Sequence, residues 1–145
     1  MNHDLTVRES VAIHATPERV WAVLTTPALI AEYLFGTETV TDWKVGSPVV
    51  FQGSYGEKKE HHYRDHGVIR ACVPGSTLSY TYWSGFSGLP DTPDNHALIT
   101  YTLEPRGPET AFTWTQQGYP NEERYQHSKA GMTAFLAQIK AIAER

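Results

Sequence analysis

Cysteine is nearly absent from this chain of 145 residues: Cys72 is the only one. One thiol cannot close an internal disulfide, and the usage fits a reducing compartment. Long apolar runs are missing too. Nothing approaches the roughly 20 residues a membrane-spanning helix needs, and Met1-Asn2-His3-Asp4 opens the chain without the apolar core of a secretion signal. The expectation is a soluble cytoplasmic protein with no membrane partner. Basic charge is also scarce. Lys and Arg total 12 against 16 Asp and Glu, giving a formal charge of −4 and a pI near 5.9. That leaves no positive field to hold nucleic acid. The chain carries no Gly-x-Ser-x-Gly elbow and no zinc-ligand spacing, so no catalytic nucleophile, metal or cofactor is expected.

Aromatic area is plentiful. Four Trp, eight Tyr and five Phe make up 12% of the chain, more than a core of this size ordinarily needs, and large rings often line small-molecule pockets. The length suits one domain spanning 1–145, able to bury about two thirds of its unfolded surface.

The apolar pattern changes period along the chain. Leu5, Val7, Val11 and Ile13 alternate with polar residues, which predicts a strand over 5–14. Glu9 shares their parity, and a bulge or edge position suits it better than a carboxylate aimed inward. Thr16-Pro17-Glu18 and Thr26-Pro27 each set a capping residue before a proline, so two short helices follow. Period two then predicts strands over 39–43, 49–55, 61–73, 77–83, 96–103 and 110–117, with an exposed loop over 84–95. The final segment, 121–145, places Tyr125, Met132, Phe135, Leu136, Ile139 and Ile142 on one helical stripe roughly 36 Å long, with Asn121 as its N-cap. The predicted fold is α+β: a curved antiparallel sheet of six or seven strands around one long C-terminal helix, with the helix pair after the first strand closing one end. A curved sheet and a crossing helix rarely pack flush at both ends, which leaves room for a cavity.

Several motifs carry a resemblance. Ala15-Thr16-Pro17-Glu18-Arg19-Val20-Trp21, Trp43-Lys44-Val45-Gly46-Ser47-Pro48, Gly67-Val68-Ile69, Leu78-Ser79-Tyr80-Thr81-Tyr82-Trp83 and Pro90-Asp91-Thr92-Pro93-Asp94-Asn95 leading into Ile99–Leu103 occur in that order. With them the chain resembles the SRPBCC superfamily of START, birch-pollen-allergen and polyketide-cyclase domains. Within it, the chain is most similar to the family named after the activator of heat-shock protein 90 ATPase. The resemblance implies a helix-grip fold, hydrophobic ligand binding or cyclase chemistry, and for the activator family a stress-response role. This chain has Gly131-Met132 where the family often has Gly-Trp. The separate N-terminal domain of the eukaryotic co-chaperone is not in this sequence, so chaperone stimulation is not the expected role.

Candidate contacts follow from strand parity and the helical stripe. Phe51, Tyr80, Tyr82, Tyr101 and Trp114 fall on inward strand positions, and Met132 and Phe135 face them from the helix. Gln116, with Thr100 or Thr102, adds polar contacts, and His66 is a lone donor at the cavity mouth. Tyr33, Phe35 and the segment Phe86-Ser87-Gly88-Leu89 form the entrance. Gly131 lowers helix propensity at the helix centre, and the cavity is expected to be deepest at Gly131, Met132 and Phe135. His61 and His62 point to opposite faces of a strand, so the three neighbouring histidines do not read as a metal site. Cys72 reads as a small core residue and Arg70 as an outer-surface one. The leading expectation is a binding protein for a small hydrophobic or aromatic ligand. The alternatives are a cyclase or hydrolase using tyrosine, histidine or Glu9 in the same cavity, and a protein-interaction module. A homodimer through the 84–95 region is compatible with each.

Overall fold

In the computed structural model, which describes residues 1–145, the first strand β1 runs Asn2–Ile13. It extends N-terminally beyond its apolar alternation because Asn2 still pairs with Tyr119 across a register shift. Thr16 caps helix α1 (Pro17–Thr25), its Oγ1 accepting from the Arg19 amide at 3.2 Å, and α2 (Pro27–Tyr33) follows at once. The strand expected over 39–43 shrinks to β2, Glu38–Val40. Trp43 has φ +62°, a left-handed conformation that no strand accommodates. The remaining strands are β3 (Pro48–Tyr55), β4 (His61–Val73), β5 (Thr77–Tyr82), β6 (Ala97–Arg106) and β7 (Glu109–Tyr119). β6 and β7 pair up to Arg106 opposite Glu109, so the turn around Gly107 is tighter than its prolines suggest.

All seven strands form one antiparallel sheet in the order β1-β7-β6-β5-β4-β3-β2. Helix α3 (Glu122–Ala143) packs along β1, with α1 and α2 against its far end. This is the α+β helix-grip fold. Phe112, Leu78, Ile69, Ile13, Leu136 and Ile139 are buried where sheet and helix meet. The C-terminal end of α3 is tied down by charge as well. The Arg19 guanidinium donates to the Ile142 and Ala143 carbonyls at 3.0 and 3.3 Å, filling acceptors that a helix end leaves unpaired, and Arg145 forks onto Glu32. The N-terminal end has its own cap, Asn121 Oδ1 accepting from the Arg124 amide at 2.9 Å.

Two sequence expectations resolve simply. β1 is an edge strand, and its Glu9 carboxylate accepts from the Thr133 hydroxyl on α3, so it is spent on holding helix to sheet. Gly131 lies on the solvent face of α3, and a Cβ there would meet nothing within 4 Å. It marks neither a close approach nor a cavity. No helix is long and apolar enough to cross a membrane.

Candidate functional site

Alternation along four neighbouring strands points one set of side chains toward α3. These are Asp65 on β4, Tyr80 and Tyr82 on β5, Ile99 and Tyr101 on β6, and Trp114 and Gln116 on β7. Phe51 joins from β3, Phe135 from the helix, and Leu34, Thr37 and Tyr63 complete the wall. They line a half-open chamber of about 220 Å³. The rings hold one another at tilted or edge-on angles, Phe51 to Tyr80 at 5.6 Å and Tyr80 to Tyr101 at 5.8 Å between centroids. A second space of about 320 Å³ adjoins it, lined by Ser84, Phe86, Ser87, Arg124, His127 and Ser128 among others. Asp65, Tyr82 and Gln116 border both. Apolar residues predominate in the wall of the inner chamber, and polar residues are the more numerous around the outer vestibule.

Most polar groups in the chamber wall are satisfied within the protein. The Tyr80 and Tyr101 hydroxyls share a hydrogen bond of 2.8 Å, Thr37 and Tyr63 one of 2.5 Å, and the Gln116 amide donates to the Gly118 carbonyl. Asp65 differs. Its side chain is buried, with the residue 7% exposed; Oδ2 accepts from the Tyr82 hydroxyl at 2.5 Å, while Oδ1 has no partner at all. Asp65 also belongs to none of the protein's ion pairs. Burial holds the Tyr82 phenol far above its ordinary pKa, and the Asp65 charge and hydrogen bond push it the same way. Burial likewise raises Tyr80 and Tyr101, so all three rings are neutral donors at physiological pH. Gly67 makes the Asp65–Tyr82 approach feasible. A Cβ at that position would collide with the Thr81 backbone carbonyl, so only glycine lets β4 and β5 come this close.

The expected contacts therefore divide. Phe51, Tyr80, Tyr82, Tyr101, Trp114, Gln116 and Phe135 line the chamber. Four others do not. Tyr33 is buried behind it, its hydroxyl donating to the Val23 carbonyl at 3.3 Å, and it packs edge-on against Phe135 instead of standing at an entrance. Phe35 is 92% exposed with φ +53°, a left-handed conformation that turns the ring out to solvent between the lining residues Leu34 and Thr37. Met132 is packed into the core, so a tryptophan there would overfill that core and leave the chamber open. His66 has the outward parity of β4. Its Nε2 lies 2.7 Å from Asp91 Oδ2, while His96 Nε2 lies 2.9 Å from Asp91 Oδ1. The two histidines hold the Asp91 carboxyl below its usual range, His96 contributing more. Thr100 is likewise engaged outside, with Ser79.

The 84–95 segment is fastened rather than loose. Besides the Asp91 clasp, the Trp83 indole donates to the Leu89 carbonyl, and Arg124 donates to the Phe86 carbonyl at 2.8 Å. Phe86 and Ser87 edge the vestibule, so this part of the expected entrance does border the cavity system. His62 bonds Ser54 and His61 lies near Glu60, and no group of three His, Cys, Asp or Glu side chains gathers to hold a metal. Arg70 is exposed and Cys72 half-buried against the core, burial raising its thiol pKa. Sequence reasoning missed Asp65, Tyr63, Ile99, Leu34 and Thr37. A signal for Asp65 and Tyr63 was present: both share parity with the buried Ile69.

A family model described as activator of Hsp90 ATPase homolog 1-like protein matches residues 14–144. Among curated proteins nothing matches. Among solved structures, ChR145 from Cytophaga hutchinsonii is 33% identical, with 99% of this chain and 97% of that one covered and a TM-score of 0.82. CV1439 from Chromobacterium violaceum is 24% identical over 98% and 99% of the two chains, with a TM-score of 0.78. The Aha1 dimer from Colwellia psychrerythraea is 16% identical over 96% of each, with a TM-score of 0.72, a likeness of fold alone.

Proposed function

The chain belongs to the family of activator of Hsp90 ATPase homolog 1-like proteins, and from that premise we propose that it binds a small hydrophobic or aromatic molecule between the sheet and α3. The observation that carries this reading is the chamber itself, about 220 Å³ walled by Phe51, Tyr80, Tyr82, Tyr101, Trp114 and Phe135. Protein interiors ordinarily keep few voids larger than a water molecule. A cavity of about 150 Å³ already admits a benzene-sized guest, so this one has room for a ring and a short chain. The unpartnered oxygen of Asp65 supports the same reading, because a buried acceptor without a donor is costly and a guest can supply one.

The test replaces Ile99, which lines the chamber without a polar role, by phenylalanine. Small aromatic probes are titrated while the Trp114 indole signal is followed by NMR. The expected result is a saturable shift at Trp114 in the natural protein that is lost in Ile99→Phe. Shifts equal in both proteins, or none in either, would remove the chamber as the binding site. We place this role in the cytoplasm, on the strength of the single free Cys72. The Colwellia relative is a dimer, and sedimentation would read whether this chain also pairs.

A further inference from the structure

The chamber's electrostatics narrow its ligand. Asp65 is a buried carboxylate with one oxygen bonded to a neutral phenol and the other to nothing. No Lys or Arg lines the inner chamber. Of the basic groups that border the vestibule, Arg124 donates to the Phe86 carbonyl and the Met1 ammonium to Asn95, and none of the three, His127 included, is bonded to Asp65. Phe51, Tyr80, Tyr82, Tyr101 and Trp114 line the same chamber as the carboxylate. A buried charge is tolerable when paired, and aromatic faces attract cations through their quadrupole.

We infer that the cavity takes a protonated organic amine, its apolar body among the chamber rings and its ammonium group at Asp65. The inference rests on the binding role proposed above and adds the charge of the ligand to it. A neutral guest could fill the same volume but would leave the carboxylate without a counter-charge. An anion would be repelled by it. The position of Asp65 at the junction of chamber and vestibule allows the ammonium to keep part of its hydration while the ring is buried.

Three probes of one size separate these cases: phenethylamine, phenethyl alcohol and phenylacetate, titrated by calorimetry at neutral pH. The amine is expected to bind at least about tenfold more tightly than the alcohol, with the anion weakest. Asp65→Asn should erase the amine's advantage. Tyr82→Phe, which keeps the carboxylate charge, should retain it, so a folding failure in one variant leaves the other to report. Alcohol bound as tightly as amine by the natural protein would overturn the inference and leave the chamber's binding role standing. So would an amine advantage that survives Asp65→Asn. Binding of none of the three would overturn both.

Discussion

Replacing Asp65 by leucine and Tyr82 by phenylalanine together should make the protein more stable while disabling its chamber. The pair is a buried charge with a single donor. Tyr82 satisfies Oδ2 at 2.5 Å and Oδ1 is left bare, with no ion pair to offset desolvation. Hydrogen bonds to a charged group contribute about 1.5–3 kcal/mol, and a buried unsatisfied group costs about 1–3 kcal/mol. Removing only the phenol oxygen, in Tyr82→Phe, strips the carboxylate of its one partner and should lower stability by about 2 kcal/mol. The double variant removes charge, donor and orphan oxygen together and puts apolar groups of similar size in their place. Such replacements are neutral or stabilising by about 1–4 kcal/mol, and about +1 to +2 is the expectation here because Oδ1 contributes nothing to offset its burial. In a chain of this length each 1 kcal/mol moves the melting temperature by about 3–4 °C. Urea unfolding followed by tryptophan fluorescence measures both variants, and the two single changes complete a cycle that isolates their coupling. A double variant clearly less stable than the natural protein would refute the reasoning, since it would mean that the carboxylate is well paired in the folded state.

Gly131→Ala should stabilise by about 1 kcal/mol, since the glycine lies mid-helix with open space around the added methyl; chemical denaturation reads this, and a loss of stability would show that the position is constrained. Alkali should unfold the protein steeply. Burial raises Tyr33, Tyr80, Tyr82 and Tyr101 above their unfolded value of 10.0. Their contribution is therefore complete below pH 10 and is lost as the pH rises beyond it. Each of the four removes about 1.4 kcal/mol per pH unit there. Spectrophotometric titration should show these phenols ionising together with the loss of secondary structure. Smooth, independent ionisation at ordinary values would contradict their burial.

The legible part of the molecule was its periodic part. Helix starts at Thr16-Pro17 and Thr26-Pro27, the alternation of Leu78, Tyr80 and Tyr82, and the stripe of Leu136 and Ile139 each depend on neighbours a few residues away, so local chemistry identifies them. They were enough to place seven of the chamber's wall residues on inward faces. The failures have a common cause. Trp43 and Phe35 adopt left-handed backbone conformations that no apolar pattern announces. Met132 and Gly131 sit beside Phe135 in sequence yet point respectively into the core and into solvent. His66 turned outward with its strand and met Asp91 from 25 residues away.

The sequence by itself determined the layers, the strand alternation and the aromatic character of whatever lies between sheet and helix. Only the tertiary structure decided where α3 leaves a gap and which carboxylate borders it. The helix contributes a single ring, Phe135, to the chamber, because its C-terminal half is drawn onto β1, α1 and α2 by Arg19 and Arg145. Asp65 becomes the chamber's unpaired carboxylate through close approach of β4 and β5 at Gly67, together with the absence of any Lys or Arg from the chamber wall. Both depend on distances between segments far apart in the chain, which residue spacing cannot encode.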